Sequence, residues 1–523
     1  MASQVSPGVV LRERDLTNAT IVGDSALTAA IVSSFQKGPI DQIVNINDQK
    51  SLISVFGTPK EANAEDWLVA SEFLGYGGRL AVVRASSGVQ NAANGGGVLV
   101  KNDAAWESGV GNTKIFAARS AGTWGNGIKV VVVDRGADQI ITLSSAPSNP
   151  PSAGDTVTFN VSGVAKTAEL QAISGLDLTV VLDDPTVLIS DSDNIEGTTI
   201  NAGNAGADIN VAAVKDAYTN TSIGSTGLKL SAIGPRPGTS SFASDRGVGY
   251  DEVHVGVIDT TGDVSGAANT VLERFTFLSK ISDAKSPEGG SLYYKDIIND
   301  QAQFIFHGAD IGSLFEPNST GGGKAWGVAS STLASGDFFK LSGGNETDLS
   351  GGTDDYAYTA GEVTAGYDLF LDTEETEVDF VLMGGSMGSE ADTKTKAQKA
   401  VAIAAARKDC IAFVSAFKGN QVGSGGSALT SSQQKTKTLN FFNTITSTSY
   451  AVLDSGYKYM YDRFNDKYRY VACNGDVAGL CVNTSTTVAD WISPAGLARG
   501  GVRNVVKLAY NPNKADRDEL YQN

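Results

Sequence analysis

Cysteine is scarce in this chain of 523 residues, and the spacing of Cys410, Cys473 and Cys481 fits neither a disulfide framework nor a zinc motif. Long apolar runs are also missing, because none reaches the roughly 18 residues that a membrane-spanning helix needs. The first residues lack the basic and then apolar layout of a signal peptide. We therefore expect a protein made in the cytosol, without disulfides, structural zinc or membrane insertion.

The chain also has fewer basic than acidic residues. Lysine and arginine total 40 against 58 acidic residues, which gives a net charge of -18, and no basic cluster stands out. Such a chain repels a phosphate backbone, so direct binding of nucleic acid is not expected. Thirteen prolines against 60 glycines indicate many turns, and a 41% hydrophobic content over this length predicts roughly three or four folded domains.

Apolar residues alternate between strand and helix periodicity in two separate parts of the chain. In the first part we predict strands over 29–32, 43–46 and 80–83 and helices over 47–56 and 65–74. In the second we predict strands over 378–383, 411–414 and 451–453 and helices over 394–407 and 431–442. This alternation implies a largely parallel sheet covered by helices. A tyrosine-rich hairpin over 457–471, turning at Asn465-Asp466, is predicted next.

The region between about residues 92 and 206 has a different character, because helix signals almost vanish from it. Residues 155–161 alternate with period two, and residues 178–182 form a second strand pattern among Gly, Ser, Asn and Pro clusters. We interpret this region as a small all-β module inserted at the periphery. The mixture returns with a strand over 253–259 and either a short helix or a strand over 271–275.

One motif suggests catalysis. Gly384-Gly385-Ser386-Met387-Gly388 fits a nucleophile elbow between a predicted strand and a predicted helix. The two histidines, His254 and His307, both precede Ser386, whereas an α/β hydrolase places its histidine after the serine. A βα turn that needs glycine for close packing is the simpler interpretation, and an α/β hydrolase remains the alternative.

Two other motifs lack residues that their chemistry requires. Gly321-Gly322-Gly323-Lys324 resembles a phosphate loop, but Asn318 replaces the first glycine and Ala325 replaces the hydroxyl residue. The acidic run from Asp191 to Glu196 lacks the ligand and the turn glycine of an EF-hand. His254 and His307 belong to no metal-ligand motif and are expected to be core or edge histidines. No catalytic residue, cofactor or metal is therefore assigned.

Several separated segments point to one family. They are Ser6-Pro7-Gly8-Val9 with Glu13, Lys37-Gly38-Pro39, Trp124-Gly125-Asn126, Leu272-Glu273-Arg274-Phe275, the tyrosine hairpin with Asp462 and Asn465, and Trp491 to Gly496. In this order they resemble the tail sheath proteins of contractile-tailed bacteriophages of the myovirus type. The Trp491 to Gly496 segment resembles the closing segment of the α/β core in those proteins, and the apolar run 505–509 after it is expected to be a strand.

The resemblance implies a fold that is α/β in its core and α+β over the whole multidomain chain. The core has a mostly parallel sheet with helices, and inserted β-rich domains protrude from it. The implied units are an extended arm (1–23), the α/β core (24–86 and 346–510), a mixed α/β protruding domain (87–100 and 201–345), an all-β outer domain (101–200) and the start of a carboxy-terminal domain (511–523). Family members continue into that last domain, and we expect this chain to lack most of it.

The resemblance also implies a function. A sheath subunit is a structural protein of the virion tail, assembled in the host cytoplasm, that polymerises around the tail tube and contracts to drive the tube through the host envelope for genome delivery. The implied partners are neighbouring sheath subunits, the tail tube protein, and the baseplate and tail terminator proteins. The arm is expected to add as a strand to a neighbour's sheet edge. Its interacting residues are expected to be Val5, Val9, Val10, Leu11, Arg12, Glu13 and Arg14.

Overall fold

Helices and strands are mixed along the chain, and the computed structural model describes residues 27–184, 186–200, 207–311, 323–339, 346–423 and 428–522. The strands are β1 (Thr28–Ser33), β2 (Ile43–Ile46), β3 (Arg79–Arg84), β4 (Phe116–Ala118), β5 (Ile128–Val133), β6 (Gln139–Leu143), β7 (Thr156–Val161), β8 (Val164–Ser174), β9 (Asp177–Leu182), β10 (Asn194–Ile195), β11 (Ile209–Asp216), β12 (Glu252–Asp259), β13 (Thr270–Ser279), β14 (Ile305–His307), β15 (Glu346–Asp348), β16 (Phe380–Leu382), β17 (Ile411–Ser415), β18 (Ala451–Asp454), β19 (Tyr457–Asp462), β20 (Lys467–Ala472) and β21 (Lys507–Leu508). The helices are α1 (Gln49–Phe56), α2 (Ala64–Gly75), α3 (Asp103–Glu107), α4 (Gly197–Ile200), α5 (Ala217–Asn220), α6 (Ser241–Ser244), α7 (Tyr294–Gln301), α8 (Ala360–Asp368), α9 (Glu390–Arg407), α10 (Lys418–Gln421), α11 (Ser431–Phe442), α12 (Asn474–Thr487) and α13 (Lys514–Gln522).

The largest open sheet has six strands in the order β18-β17-β16-β1-β3-β2. The four pairings from β18 to β3 are parallel, and only β2 runs antiparallel to its neighbour β3. Strand β1 is buried on both faces, since Ala29 and Ile31 contact one apolar cluster whereas Ala30 and Val32 contact the other. Helices α2 and α12 cover the first face, and α8 and α9 cover the second. The sheet thus joins two chain segments that are hundreds of residues apart.

The packing of α12 on α2 depends on glycine. A Cβ on Gly475 would lie 2.5 Å from the backbone oxygen of Val69, and a Cβ on Gly479 would lie 2.3 Å from the ring of Tyr76. Because a backbone atom of α2 cannot move away without displacing the helix, Gly475 sets the approach of the two helices.

We expect Gly475→Ala to lower the free energy of unfolding by about 1–3 kcal/mol through overpacking, although alanine is the better helix former. Gly361→Ala in α8 is the matched control, because its Cβ would meet only the hydroxyl of Thr359 at 3.8 Å. That control should be neutral or stabilising by at most about 1 kcal/mol. Urea unfolding measures both variants, and equal effects would contradict a steric role for Gly475.

A separate closed barrel follows the strand order β10-β11-β6-β9-β8-β7, and β10 pairs with β7 to close it. Its interior is filled by apolar side chains, among them Phe159, Leu170 and Val180, which are fully buried. Closure leaves the barrel without a long unpaired edge.

Two further sheets are formed by strands that precede and follow the barrel strands in the sequence. Strands β13-β12-β5-β15 form an antiparallel sheet, and β14 pairs with β4 in a two-stranded one. Their shared apolar core includes Trp124, Tyr294 and Trp326. The remaining sheet has three strands in the order β20-β19-β21.

Most local predictions are confirmed. The helix predicted from 47 or 48 is α1, capped by the side chain of Asp48, and the tyrosine hairpin pairs β19 with β20. The expectation of a multidomain chain with helices and strands in several sheets is also confirmed. Residues 271–275, for which helix and strand were both open, belong to the long strand β13.

Three predictions need correction. The helix expected over 394–407 begins at Glu390, because the side chain of Ser389 caps it by accepting the backbone N–H of Asp392. The strand expected over 505–509 is only the two residues of β21. The Trp491 to Gly496 segment, expected to close the core, is an exposed loop in which Trp491 is 84% exposed. Pro494 and the left-handed Gly496 (φ 118°) hold it in turns.

Candidate functional site

The residues assigned to the arm, Val5, Val9, Val10, Leu11, Arg12, Glu13 and Arg14, lie outside the described residues. So do Asn318, Gly321 and Gly322 of the glycine-rich motif. Lys324 of that motif is described, and its ammonium lies 3.1 Å from the carboxylate of Asp337. Within the described ranges, no group of three or more His, Cys, Asp or Glu side chains is placed to hold a metal ion.

Ser386 lies between β16 and α9, as the elbow motif requires, but its hydroxyl is occupied. The backbone N–H of Lys418 donates to Ser386 Oγ at 2.8 Å, and Oγ lies 2.7 Å from the hydroxyl of Tyr457. Tyr457 donates its own proton to the carbonyl of Ala416, so Ser386 is the donor to Tyr457. Burial raises the pKa of Tyr457 well above its ordinary value, which keeps it a phenol and unsuited as a base.

Neither histidine belongs to the sheet that carries Ser386. His254 is buried in β12, where Nε2 lies 2.6 Å from the carbonyl oxygen of Pro235 and Nδ1 accepts the backbone N–H of Phe277. His307 is buried in β14, and burial lowers its pKa to about 3. The expectation that both are core histidines is confirmed. Ser386 therefore has no histidine base, and its glycines serve close packing against Glu65 and Asp66.

The same end of the sheet carries a network of paired charges, which we call the lysine network. Three acidic side chains of α2 each bind a lysine from the second half of the chain. The pairs are Lys418–Glu65 at 2.7 Å, Lys396–Asp66 at 2.8 Å and Lys458–Glu72 at 2.8 Å. Lys396 and Lys458 are fully buried. Sequence reasoning missed this network, because acidic residues on a helix are normally solvated.

Lys458 is the most enclosed member of the lysine network. Its ammonium lies 2.8 Å from Asp476 Oδ1 as well as from Glu72, and it donates to the carbonyl oxygen of Arg503 at 3.0 Å. Burial raises the pKa of Asp476 to about 6, while the charge of Lys458 opposes that rise. Every carboxylate here faces a lysine, and the network fastens α2 to β19 and α12.

An exposed apolar surface lies beside this network, and we call it the contact face. It consists of Tyr461, Tyr468, Val505 and Val506, which line one groove of about 660 Å³ and are all well exposed. The groove runs between α2, the hairpin of β19 and β20, and the segment before β21. In the described part of the chain, no strand pairs with the outer edge of β20 or of β21. Apolar side chains beside unpaired strand edges are typical of protein–protein contact sites.

Helix length and hydropathy give one further constraint. Across the described ranges, no helix is both long and apolar enough to cross a membrane. The site thus consists of an occupied elbow serine, a buried lysine network and an exposed contact face.

Three known proteins are similar to this chain over nearly its whole length. No family model matches the chain. The tail sheath protein of Enterobacteria phage T4 is 26% identical over 567 residues, covering 99% of this chain and 78% of the relative. The tail sheath protein of Vibrio phage KVP40 is 25% identical, covering 99% and 79%, and that of Salmonella phage ViI is 24% identical, covering 100% and 77%.

Two solved structures superimpose only partly on this chain. The sheath tail protein Lin1278 from Listeria innocua superimposes with a TM-score of 0.43 at 8% identity, covering 96% of this chain and 64% of that one. The sheath tail protein DSY3957 from Desulfitobacterium hafniense gives 0.38 at 10% identity, covering 98% and 70%. The identification therefore rests on the sequence relatives.

Over nearly its whole length the chain is similar to the tail sheath proteins of bacteriophages. It is a structural subunit of a sheath built from many subunits in the virion tail. Because its relatives are structural proteins, this fits the expectation of a chain without enzymatic activity, and nothing in the comparisons supports the hydrolase alternative.

Proposed function

We propose that this subunit polymerises around the tail tube and that contraction of the polymer drives the tube through the host envelope during genome delivery. Its partners are neighbouring sheath subunits, the tube protein, and the baseplate and tail terminator proteins, without direct contact to nucleic acid or insertion into a membrane. The observation that carries this proposal is the combination of a core fastened by buried ion pairs with an exposed contact face. Contraction needs both, since subunits must move as rigid bodies while their connections persist.

The rigid body is the six-stranded sheet with its helices, which we propose as the shared sheath core, residues 24–86 and 346–510. Strands β1 to β3 come from the first segment and β16 to β18 from the second. The lysine network ties the same two segments together through α2. These ties support a core that rotates without deforming.

The protruding parts of the subunit are proposed from the other sheets. The mixed domain over 87–100 and 201–345 is supported by β12 and β13 of the antiparallel sheet, whose other strands β5 and β15 lie outside these bounds. An all-β outer domain over 101–200 is supported by the barrel strands β6 to β10, and the last barrel strand, β11 (Ile209–Asp216), extends beyond these bounds. Residues 511–523 would begin a further domain. A closed barrel suits the periphery because it offers neighbours little unpaired edge.

The connections between subunits are proposed to be strands. The arm residues 1–23, with Val5, Val9, Val10, Leu11, Arg12, Glu13 and Arg14, would add to the open edge of a neighbour's three-stranded sheet. Backbone hydrogen bonds would give the affinity, and the apolar side chains of the arm would enter the groove of the contact face. Such a link is covalent with one subunit and hydrogen-bonded to the next, so it survives rotation of the cores. A modest free-energy gain per subunit, repeated over many copies, would then make contraction spontaneous.

We expect deletion of residues 2–16 to abolish or strongly weaken polymerisation while leaving the core folded, because the donated strand is lost. Negative-stain electron microscopy and sedimentation measure the polymer, and circular dichroism with thermal unfolding measures the fold. Val10→Pro removes one backbone donor without shortening the arm and should act in the same direction, whereas Val10→Ile is the matched control. If the deletion unfolds the protein, the segment belongs to the core and the proposed arm is wrong.

A further inference from the structure

A buried lysine and aspartate meet at one end of the antiparallel sheet, away from the lysine network. Asp134 directly follows β5, and Lys280 directly follows β13, with β12 lying between these two strands in the sheet. The Lys280 ammonium nitrogen lies 2.7 Å from Asp134 Oδ2, and the two side chains are 0% and 3% exposed. The backbone N–H of Lys280 donates to the carbonyl oxygen of Asp251, which fixes the chain that carries the lysine.

The surroundings of this pair are largely aromatic. Lys280 Nζ lies 5.0 Å from the ring centre of Trp326 and 5.9 Å from that of Phe339, and it donates to the carbonyl oxygen of Tyr250 at 2.8 Å. Among the described residues, Asp134 Oδ2 has no partner with hydrogen-bond geometry, although Nζ touches it. Burial lowers the pKa of Lys280 and raises the pKa of Asp134, while the charge of each opposes the shift of the other. Burial thus favours a neutral amine beside a neutral carboxylic acid.

The buried pairs of the lysine network differ from this one. Asp66 accepts hydrogen bonds from Lys396, from the hydroxyl of Tyr358 and from the backbone N–H of Gly385. These donors stabilise the carboxylate, which is a poor electrophile. In the described part of the chain, Asp134 Oδ1 accepts the backbone N–H of Arg135 at 2.6 Å, and Oδ2 faces Lys280 alone. The carboxyl group of Asp134 thus accepts fewer hydrogen bonds than that of Asp66, while lying equally close to a buried amine.

We propose that Lys280 and Asp134 condense to an intramolecular isopeptide bond. One proton first passes from Nζ to the carboxyl group along the 2.7 Å contact, which leaves an amine facing a carboxylic acid. The Nζ lone pair then attacks Cγ of Asp134 and forms the C–N bond. One carboxyl oxygen leaves with two protons as water, and no oxidant or other reactant is needed.

Two features of the fold favour this step. The fixed strand ends hold the reacting groups in contact, and effective molarities in such arrangements reach about 10⁵–10⁸ M. The carbonyl oxygen of Tyr250 accepts an N–H of the amine and orients its lone pair. Exclusion of water by the aromatic side chains disfavours the reverse hydrolysis. The aromatic rings also suit a cation, so a permanent ion pair is the competing outcome.

The consequence concerns the barrel. Every barrel strand, from β6 to β11, lies between Asp134 and Lys280 in the chain. A covalent link between these residues closes the chain from Asp134 to Lys280 into a loop. It also joins the end of β5, where the chain leaves the antiparallel sheet, to the end of β13. Force applied to the barrel would then not separate β5 from β13. This inference stands independently of the proposed contraction.

Mass spectrometry of the purified full-length chain tests the proposal. We expect the intact mass to be lower than the sequence mass by one water molecule. Trypsin cannot cleave after an acylated lysine, so the digest should contain one branched species that joins residues 130–135 to residues 275–285. Without the bond, residues 130–135 and 275–280 appear as separate peptides. A wild-type chain of full mass with only the separate peptides overturns the proposal, and so does a water loss that maps elsewhere.

Variants sharpen the result. Lys280→Arg keeps a cation but removes the primary amine, so the mass deficit and the branched peptide should both disappear, as they should in Asp134→Ala. Lys101→Arg, on an exposed pair with Asp41, is the matched control and should retain both. If Lys280→Arg still has a mass lower by one water molecule, the isopeptide bond does not involve Lys280. Because the wild-type digest is informative by itself, the test does not depend on the variants folding.

Discussion

Replacing Lys458 by methionine lowers the free energy of unfolding by about 3–5 kcal/mol. Methionine fills a similar volume but carries no charge, so Glu72 and Asp476 are left buried, close together and without a cation. The ammonium that they lose lies 2.8 Å from each of them and is 0% exposed. Urea unfolding at pH 7, followed by circular dichroism, measures the loss.

The control for this variant is an exposed pair. Lys101→Met removes the partner of Asp41, and these side chains are 47% and 40% exposed, so the change should be no more than about 1 kcal/mol. The loss of unfolding free energy in Lys458→Met should shrink as pH falls, because the carboxylates left without a cation can take up protons. The pKa of Asp476 is already raised to about 6 in the intact network. If Lys458→Met loses no more unfolding free energy than Lys101→Met, or if its loss does not change with pH, Lys458 is not a buried counter-ion.

A triple variant separates lost packing from lost charge. Adding Glu72→Gln and Asp476→Asn to Lys458→Met removes all three charges and should recover much of the lost stability. Recovery identifies uncompensated charge as the cause. Absence of recovery would instead assign the loss to the packing of the lysine stem.

Local signals in the sequence predicted local structure well. The Asp48 cap and the glycine that ends α1, the periodic pattern of α2 and the tyrosine hairpin each depend on residues within a few positions of one another. The early start of α9 was also readable, because Ser389 and Asp392 have the spacing of a helix cap. Such features follow from backbone hydrogen bonding within a single element.

Contacts between distant segments were not predictable in the same way. The three acidic residues of α2 look like a solvated face until the lysines more than 300 residues away are placed against them. The Trp491 to Gly496 segment was expected to close the core, yet the exposure of Trp491 is set by what packs on its loop, which no local pattern encodes. The arm was predicted by resemblance alone and lies outside the described residues.

The carboxyl group of Asp454 should make stability fall as pH rises. It follows β18, where the hydroxyl of Ser415 and the backbone N–H of Gly456 donate to it, and no lysine or arginine in the described part of the chain forms an ion pair with it. Burial, with a smaller effect from the charge of Asp476, raises the pKa of Asp454 to about 7. Between about pH 4 and pH 7 the unfolded chain has released this proton whereas the folded chain retains it, so folding is progressively penalised.

Asp454→Asn removes this titration, and the comparison of the two proteins over pH is the test. A folded pKa of about 7 against an ordinary value of 3.8 corresponds to about 4 kcal/mol, and partial exposure of the residue reduces the expected effect to about 2–4 kcal/mol. The variant's amide cannot accept both hydrogen bonds, but that cost is the same at every pH. The free energy of unfolding of the wild type, measured against the variant, should therefore be greatest near pH 4 and decline until about pH 8. Parallel curves would mean that Asp454 is already ionised in the folded core and that its two donors outweigh its burial.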